Sequence, residues 1–332
     1  MSTFRAFRIH ETGGKISARF EDLTLDALTP GEVVIEVQYS GINYKDALAA
    51  TGAGKILRRY PLVGGIDLAG FVKTSEDPRF KTGDAVLVTG SGLSETVDGG
   101  YAELARVKAD SVIPMPPGLD VFGAMALGTA GFTAALAIHR MERNGQAPER
   151  GPIVVTGATG GVGSVAIDML AGRGYEVIAV TGKAESSEYL KSLGASKVVL
   201  RGDFPLGSKA LEPTRYAGAI DNVGGEMLAG LTRQLDFWGN IASVGLTGGA
   251  DLNTTVMPFI LRGINLLGIN SSATRRPERL EVWKRIAGDC APRHLARIAT
   301  RTIPLAELPG AFSAYIDGKV TGRTVVKIGA RP

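Results

Sequence analysis

A glycine-rich turn between an apolar segment and an Ala-rich one constrains the fold of this 332-residue chain more than any other feature. The run Ile153–Thr156 predicts a buried strand, and the next residues read Gly157-Ala-Thr159-Gly160-Gly161-Val162-Gly163. Glycines permit a tight turn and a close backbone approach, while the N-terminus of a following helix offers N–H groups and the positive end of its dipole. This strand-turn-helix unit predicts a site for the pyrophosphate of a dinucleotide.

Strands and helices alternate on both sides of this turn. Further strands are predicted at Glu176–Val180, Lys197–Leu200, Ala217–Asp221, Asn240–Val244 and Asn265–Ile269, and helices at Gly161–Gly174, Ala184–Leu193 and Gly225–Leu235. Alternation with continuously apolar strands is typical of a parallel sheet covered on both faces. The fold class is therefore α/β, with a doubly wound parallel sheet of the Rossmann kind.

The first third of the chain is β-rich. Val33–Val37 and Ala85–Thr89 each follow a turn and have the branched apolar content of strands. Phe122–Arg140 predicts a helix that is interrupted near Gly128. The tail, Ala306–Lys327, predicts a helix and a last strand, which we expect to return to the first domain.

The end of the second strand of the sheet indicates which dinucleotide binds. A site for NAD usually has Asp or Glu there, bonded to the ribose hydroxyls. This chain has Thr181-Gly182-Lys183 instead, and Arg201 ends the neighbouring strand. A hydroxyl and two cations suit a 2′-phosphate, so NADPH is the expected cofactor. The alternative is that Lys183 and Arg201 are solvated surface cations.

Charge and cysteine content exclude several other classes. The net charge is only +4, with basic residues scattered singly, which argues against a nucleic-acid partner. The single cysteine, Cys290, permits no intramolecular disulfide and fits a reducing compartment. No signal peptide and no run of about 18 uninterrupted apolar residues is evident, so a cytoplasmic protein without a membrane span is expected.

Motifs along nearly the whole chain resemble those of one superfamily. They include Ser40-Gly-Ile-Asn-Tyr-Lys-Asp46, Pro61-Leu-Val-Gly-Gly-Ile-Asp67, Gly128-Thr-Ala-Gly-Phe-Thr133 and Gly322-Arg-Thr-Val-Val326. The chain resembles the medium-chain dehydrogenase/reductases, in their zinc-independent, quinone-oxidoreductase-like branch. Within that branch, Ser75-Glu-Asp-Pro-Arg-Phe80, Tyr189-Leu-Lys-Ser-Leu-Gly-Ala195 and Thr255-Val-Met-Pro-Phe-Ile-Leu-Arg262 resemble the acrylyl-CoA reductase group.

The resemblance implies two domains and a partner. Residues 1–121 and 270–332 would form a β-rich, GroES-like catalytic domain, and residues 122–269 the Rossmann NADPH-binding domain. Cofactor and substrate would meet in a cleft between them. A homodimer joined through the edge strand Leu266–Ile269 is expected.

The resemblance also argues against a metal. Zinc-dependent relatives have a ligating Cys where this chain has Asn43 and a His where it has Ile66. With one cysteine, and with His139 and His294 expected on helix surfaces or as caps, we predict no metal site. Hydride transfer to a carbonyl-activated alkene is then more natural than oxidation of a zinc-bound alcohol.

The candidate catalytic residues follow from family positions: Asn43, Tyr44, Asp67 and Arg323. Asp67 is expected to anchor Lys45 or another cation, and Asp46 to cap a helix at Ala47–Ala50. The alternative roles are an aromatic packed at a turn for Tyr44, a structural ion pair for Asp67 and a surface cation at a strand end for Arg323. The expected cofactor contacts are Tyr44, Gly157, Thr159, Gly160, Gly161, Val162, Gly163, Thr181, Gly182, Lys183, Arg201, Asn222, Val223, Gly245, Leu246 and Ser271.

Three functions remain open. The first is NADPH-dependent reduction of the carbon-carbon double bond of a short 2-enoyl-CoA such as acrylyl-CoA. The second is reduction of a quinone or enone, and the third is non-catalytic NADPH binding by a sensor or structural protein. Loop cations would meet the phosphates of coenzyme A in the first case or be merely solvated: Lys55, Arg58, Arg59, Arg275 and Arg276.

Overall fold

The computed structural model describes residues 2–329. Its strands are β1 (Phe4–Thr12), β2 (Lys15–Leu23), β3 (Val33–Gly41), β4 (Leu62–Val63), β5 (Asp67–Ser75), β6 (Ala85–Thr89), β7 (Leu104–Val107), β8 (Ile113–Pro114), β9 (Ile153–Thr156), β10 (Val177–Thr181), β11 (Lys197–Leu200), β12 (Tyr216–Asp221), β13 (Leu235–Ser243), β14 (Asn265–Gly268), β15 (Arg301–Pro304) and β16 (Thr324–Lys327). Its α-helices are α1 (Tyr44–Thr51), α2 (Val121–Arg143), α3 (Gly161–Gly172), α4 (Ser187–Ser192), α5 (Gly225–Gln234), α6 (Met257–Arg262), α7 (Arg276–Ile286), α8 (Leu295–Ile298) and α9 (Leu308–Ile316).

The chain divides into two compact units. The first contains the chain up to Thr129, Ser271–Ala287 and the chain from Leu295 onward; the second contains Ala130–Asn270 and Gly288–His294. This division differs from the sequence-based boundaries at residues 122–129 and 288–294. The first difference arises because α2 leaves helical geometry at Gly128. The second arises because His294 bonds to the buried carboxylate of Asp168 in α3, through its backbone N–H and its Nδ1, each at 2.8 Å.

The second unit is built on a parallel sheet in the order β11-β10-β9-β12-β13-β14. Every neighbouring pair in that order is parallel, and Val177 of β10 lies opposite Ile153 of β9. The predicted doubly wound sheet is confirmed. Its central strand β9 is buried along its full length because both faces are covered, which explains its continuous apolar sequence.

The first unit is mainly antiparallel. One sheet runs β15-β16-β3-β5-β6-β8, with β7 also paired to β3, and a smaller sheet runs β2-β1-β4. The tail returns to this unit as predicted, because Val326 of β16 lies opposite Ser40 of β3. Branched and aromatic side chains from these strands form the core around Val33, Ile35 and Leu68. The predicted β-rich, GroES-like domain is confirmed.

Helix α2, with 23 residues, is the longest helix in the described part of the chain. By length and composition it could cross a membrane, but 78% of its most apolar 18-residue window is buried inside the protein, as in a core helix. His139, which was expected on a helix surface, lies in this helix and is only 2% exposed. The expectation was wrong because every residue from 131 to 139 is buried, so α2 has no exposed side near His139.

Candidate functional site

The glycine turn adopts the geometry that the sequence predicts. Gly157 follows β9 with φ of 57°, a left-handed conformation that favours glycine. A Cβ atom at Gly163 would lie 2.4 Å from the carbonyl oxygen of Gly157 and 2.8 Å from the Cα of Ala158. The first turn of α3 therefore packs directly against the loop backbone, and only glycine fits there.

No side chain of the described residues caps the N-terminus of α3. Its N-cap is Gly160, which has no side chain to cap the N–H groups of Gly161, Val162 and Gly163. Uncapped N–H groups at a helix N-terminus favour an anion. Thr159, 7% exposed, lies in the same loop. The free N–H groups suit the negative charge of a dinucleotide pyrophosphate.

Four predicted cofactor residues come together at the carboxyl ends of β10 and β11. The Thr181 hydroxyl accepts the backbone N–H of Lys183 at 3.0 Å. A Cβ atom at Gly182 would lie 3.7 Å from Nη2 of Arg201, so the guanidinium extends over that glycine. Burial lowers the pKa of Lys183, with Glu185 acting in the opposite direction. A bound phosphate would stabilise this partly desolvated ammonium.

The loops after β12 and β13 lie at the same edge of the sheet. Asn222 donates from Nδ2 to the carbonyl of Thr156 at 2.8 Å, while its buried Oδ1 has no hydrogen-bond partner within residues 2–329. A Cβ atom at Gly245 would lie 2.2 Å from the carbonyl oxygen of Asn222. Val223 lies beside Asn222, and Leu246 is largely exposed. The predicted edge residues are thus adjacent to the glycine turn.

Sequence reasoning missed Asp221 at this edge. It is fully buried, and its carboxylate accepts the Thr156 hydroxyl at 2.6 Å and the backbone N–H of Gly224 at 2.7 Å. Burial raises the pKa of Asp221, although both hydrogen bonds act to lower it. Asp221 therefore connects the loop after β12 to β9. The signal was present, because an acidic residue ending a buried apolar strand needs a local partner.

In the first unit, three predicted catalytic residues form one buried network. Asn43 donates from Nδ2 to Asp67 at 2.7 Å, and its Oδ1 accepts from Nη1 of Arg323 at 2.9 Å. Nη2 of Arg323 lies 3.8 Å from the Asp67 carboxylate and has no hydrogen-bond partner in the described part of the chain. Thr129, which the sequence did not single out, donates its hydroxyl to Asp67 at 2.5 Å.

The expected start of the helix in this region was wrong, and the cation beside Asp67 is Arg323 rather than Lys45. Helix α1 begins at Tyr44 rather than Ala47, and Asn43 is its N-cap, so Asp46 lies inside the first turn. There the Asp46 carboxylate accepts the backbone N–H groups of Asn43 at 2.8 Å and Ile66 at 2.9 Å. Of the two alternatives for Asp67, the structure has another cation beside it: Nη2 of Arg323 lies 3.8 Å from its carboxylate, while Lys45 pairs with Glu95.

For Tyr44 and Ser271, the expected contact with a ligand stays a prediction. Tyr44 is the first residue of α1, and its side chain is 42% exposed. Ser271 belongs to the first unit, where its carbonyl accepts a bond of 2.7 Å from the buried guanidinium of Arg279. Burial lowers the pKa of Arg279 to about 10. Arg279 thus fixes the chain at Ser271.

Basic loop residues surround a pocket in the first unit. The pocket has a volume of about 480 Å³ and is lined by Lys45, Lys55, Ile56, Leu57, Arg58 and Glu95. Arg59 instead bonds to the hydroxyl of Thr29 at 2.8 Å, and Arg276 donates to the carbonyl of Asp110 at 2.9 Å. Of the predicted loop cations, only Lys55 and Arg58 therefore line this pocket.

The donor atoms do not suit zinc. Within residues 2–329, no group of three or more His, Cys, Asp or Glu side chains is placed to hold a metal ion. At the two positions where zinc-dependent relatives have ligands, this chain has Asn43, whose amide donates to two carboxylates, and Ile66, which is apolar and buried. The cysteine of the chain, Cys290, is buried in the second unit. A zinc site of the family type needs Cys or His at the first two positions.

Comparison with known proteins identifies the family. Residues 29–117 match the family described as alcohol dehydrogenase GroES-like domain, and residues 161–287 match zinc-binding dehydrogenase. The chain is 46% identical over 330 residues to putative quinone oxidoreductase YhfP of Bacillus subtilis, covering 99% of this chain and 100% of that protein. It is 47% identical over 321 residues to acrylyl-CoA reductase AcuI of Ruegeria pomeroyi, covering 96% and 97% respectively.

Solved structures of related proteins, two of them with a bound dinucleotide, agree with the fold. The yhdH oxidoreductase from Salmonella enterica in complex with NADP has a TM-score of 0.94 and 46% identity, covering 98% of this chain and all of that one. The Bacillus subtilis protein yhfP with NAD bound has a TM-score of 0.95 and 45% identity, with the same coverage. From its matched domains, its fold and these relatives, this chain is an oxidoreductase of the medium-chain dehydrogenase/reductase superfamily.

Proposed function

We propose that this protein uses NADPH to reduce the carbon-carbon double bond of a short 2-enoyl-CoA, with acrylyl-CoA to propionyl-CoA as the reaction. The observation that carries the choice is the pocket lined by Lys55 and Arg58, in which Lys45 is already paired with Glu95. Coenzyme A presents several phosphates to such a surface, whereas a quinone presents none. Among the relatives, acrylyl-CoA reductase AcuI supports the same choice.

NADPH specificity is part of the proposal. One related structure contains NADP and another NAD, so relatives alone do not decide between the two cofactors. The contact between Gly182 and the Arg201 guanidinium, together with Lys183, supports the phosphorylated form. An acidic residue in place of Thr181 would instead favour the ribose hydroxyls of NAD.

The chemistry needs a hydride at the β-carbon of the acceptor and a proton at its α-carbon. Bound NADPH supplies the hydride. Negative charge develops on the thioester oxygen, and donors aimed at that oxygen would lower the barrier. Tyr44 is the exposed side chain of the predicted catalytic set, and its hydroxyl can donate a hydrogen bond or the proton. Arg323 is 3% exposed and donates to Asn43, so in this proposal it holds the buried network together.

Because the donor set does not suit zinc, the proposed reaction proceeds without a Lewis acid. Reduction of an alkene already polarised by a thioester has no need of one, whereas ionising an alcohol at neutral pH does. The proposal also places the reaction in a reducing cytoplasm, consistent with a single cysteine.

The first experiment compares acceptors. Purified protein is mixed with NADPH and either acrylyl-CoA or benzoquinone, and loss of NADPH absorbance is followed. Efficient turnover of the thioester with little turnover of the quinone would support the proposal. The reverse result would replace it with quinone reduction, the activity named for YhfP. NADPH binding without turnover of either acceptor would indicate a sensor or structural role.

The second experiment tests whether the pocket binds the phosphates of coenzyme A. The variant Lys55→Gln/Arg58→Gln should raise KM for acrylyl-CoA on the order of 10²-fold, since two charged hydrogen bonds are lost and each costs about 1.5 kcal/mol or more. KM for the pantetheine thioester, which lacks the nucleotide phosphates, should not change. Lys319→Gln, at an exposed lysine of the same unit, is the matched control. Equal KM changes for both thioesters would argue against phosphate binding in this pocket.

We propose further that the protein is a homodimer joined along β14. This strand ends the sheet order, so its outer edge is unpaired within the described chain. Large apolar side chains are exposed on β14 and on the neighbouring β13 and α6: Phe237, Trp238, Ile260, Leu261 and Leu266. An exposed apolar edge is a template for pairing with a second copy.

A further inference from the structure

We infer that Asn43, Asp46, Asp67 and Thr129 form a positioning network for Tyr44, and that the Asn43 side chain does not itself touch the reacting molecule. The inference rests on the proposed function, since it assumes that Tyr44 takes part in the reduction. It changes the role of Asn43, which its family position alone would make a direct catalytic contact.

The Asn43 amide has no N–H donor left for a ligand. An asparagine side chain offers two N–H donors and one carbonyl oxygen. Here the donors go to the carboxylates of Asp67 at 2.7 Å and Asp46 at 3.1 Å, while the oxygen accepts from Arg323 at 2.9 Å. The residue is also 9% exposed. An oxyanion could gain a bond from Asn43 only by breaking one of these buried, charge-assisted bonds.

The same network fixes the backbone on both sides of Tyr44. Asn43 immediately precedes Tyr44, and Asp46 follows Tyr44 by two residues in the first turn of α1. The backbone N–H of Asn43 donates to the Asp46 carboxylate. The other Asp46 oxygen accepts the N–H of Ile66. The start of α1 is therefore joined to the segment that enters β5. Tyr44, the exposed residue of this turn, is presented from a backbone with little freedom to move.

The break in α2 completes the network. Gly128 has φ of 53°, and a Cβ atom there would lie 2.6 Å from Oδ2 of Asp67. This break lets Thr129 donate both its backbone N–H, at 2.9 Å, and its hydroxyl to the Asp67 carboxylate. Asp67 is fully buried, so these donors replace the water that it lost on folding. A correctly held Asp67 in turn orients the Asn43 amide.

A double-mutant cycle on the full-length enzyme with NADPH and acrylyl-CoA tests the inference. Asn43→Ala should lower kcat on the order of 10²-fold, as expected for a misplaced catalytic group, with little change in KM. In a Tyr44→Phe background the same substitution should change kcat by no more than about twofold. Equal losses in both backgrounds would overturn the inference, because Asn43 would then act on the reacting molecule directly.

Tyr44→Phe alone separates this inference from the proposed function. A Tyr44→Phe enzyme with wild-type kcat would overturn the positioning role, while turnover of acrylyl-CoA by the wild type would leave the reductase function standing. Conversely, a wild type that reduces only quinones would refute the proposed substrate, and the cycle could still be run with a quinone.

Thr129 provides the second variant if Asn43→Ala does not fold. Thr129→Val retains the backbone N–H to Asp67 and removes only the hydroxyl bond. We expect Thr129→Val to lower kcat and Thr129→Ser, which keeps a hydroxyl, to restore it. Thr302→Val, at an exposed position of β15, is the matched control and should leave kcat unchanged. Thr129→Val with the kcat of Thr129→Ser would contradict the inference.

Discussion

At Gly163 a Cβ atom would approach the carbonyl oxygen of Gly157 to 2.4 Å, far inside van der Waals contact. Gly163→Ala should therefore displace the glycine turn and weaken NADPH binding, with a cost of about 1–3 kcal/mol for the overpacking. Titration of NADPH fluorescence measures this. Gly310→Ala is the control, since a Cβ atom there meets nothing within 4 Å. Unchanged binding by Gly163→Ala would mean that the turn does not hold the dinucleotide.

Arg201 tests the cofactor preference, also at the scale of one residue. Removing its charge with Arg201→Gln should raise KM for NADPH on the order of tenfold and leave KM for NADH unchanged, because only NADPH carries the 2′-phosphate. Steady-state kinetics with both cofactors measure the ratio. Lys191→Gln, an exposed lysine paired with Glu188, should change neither value. Parallel changes for both cofactors would remove Arg201 from the phosphate site.

At the scale of the element, the first turn of α1 depends on a buried carboxyl. Burial, and then the nearby Asp67, raise the pKa of Asp46 from 3.8 to about 7. The folded protein therefore holds a proton on Asp46 at pH values where the unfolded chain has lost it. Its stabilising contribution is complete below the unfolded pKa and is lost as pH rises through the folded one.

The corresponding prediction concerns stability as a function of pH. Between about pH 4 and 7, Asp46 should lower the free energy of unfolding by at most about 1.4 kcal/mol for each unit of rising pH. Asp46→Asn should flatten that slope, as measured by urea unfolding across the window. Asp317→Asn, at an exposed carboxylate, should keep it. A slope that persists in Asp46→Asn would assign the proton to another group.

At the scale of the whole molecule, the free edge of β14 predicts the state of assembly. Leu266→Lys places a charge on this edge and should convert the dimer to a monomer, because lysine on an edge strand blocks pairing. Light scattering after size exclusion gives the mass. Leu280→Lys, at an exposed apolar residue of α7 in the first unit, should remain dimeric. A monomeric wild type would refute the proposed dimer.

Local patterns were enough for the dinucleotide unit. Strand β9, the glycine turn and α3 are contiguous, and their apolar period and glycine spacing are set by contacts within a few residues. The cations at the ends of β10 and β11 were also predictable, since carboxyl ends of neighbouring parallel strands meet at one edge. The sequence by itself therefore determined the fold class, and it predicted which loops would hold the cofactor.

Only the tertiary structure decided how the network in the first unit is connected. Asn43 and Arg323 are 280 positions apart, and Asn43 and Asp67 are 24 apart, yet all three meet in one buried cluster. Sequence reasoning left open whether Lys45 or another cation lies beside Asp67; the fold pairs Lys45 with Glu95 and places Arg323 beside Asp67. Which buried charges pair depends on which groups the fold brings into the same desolvated site. A sequence pattern over a few residues does not contain that information for groups far apart in the chain. The roles of Asp46, Thr129 and Asp221 became visible for the same reason.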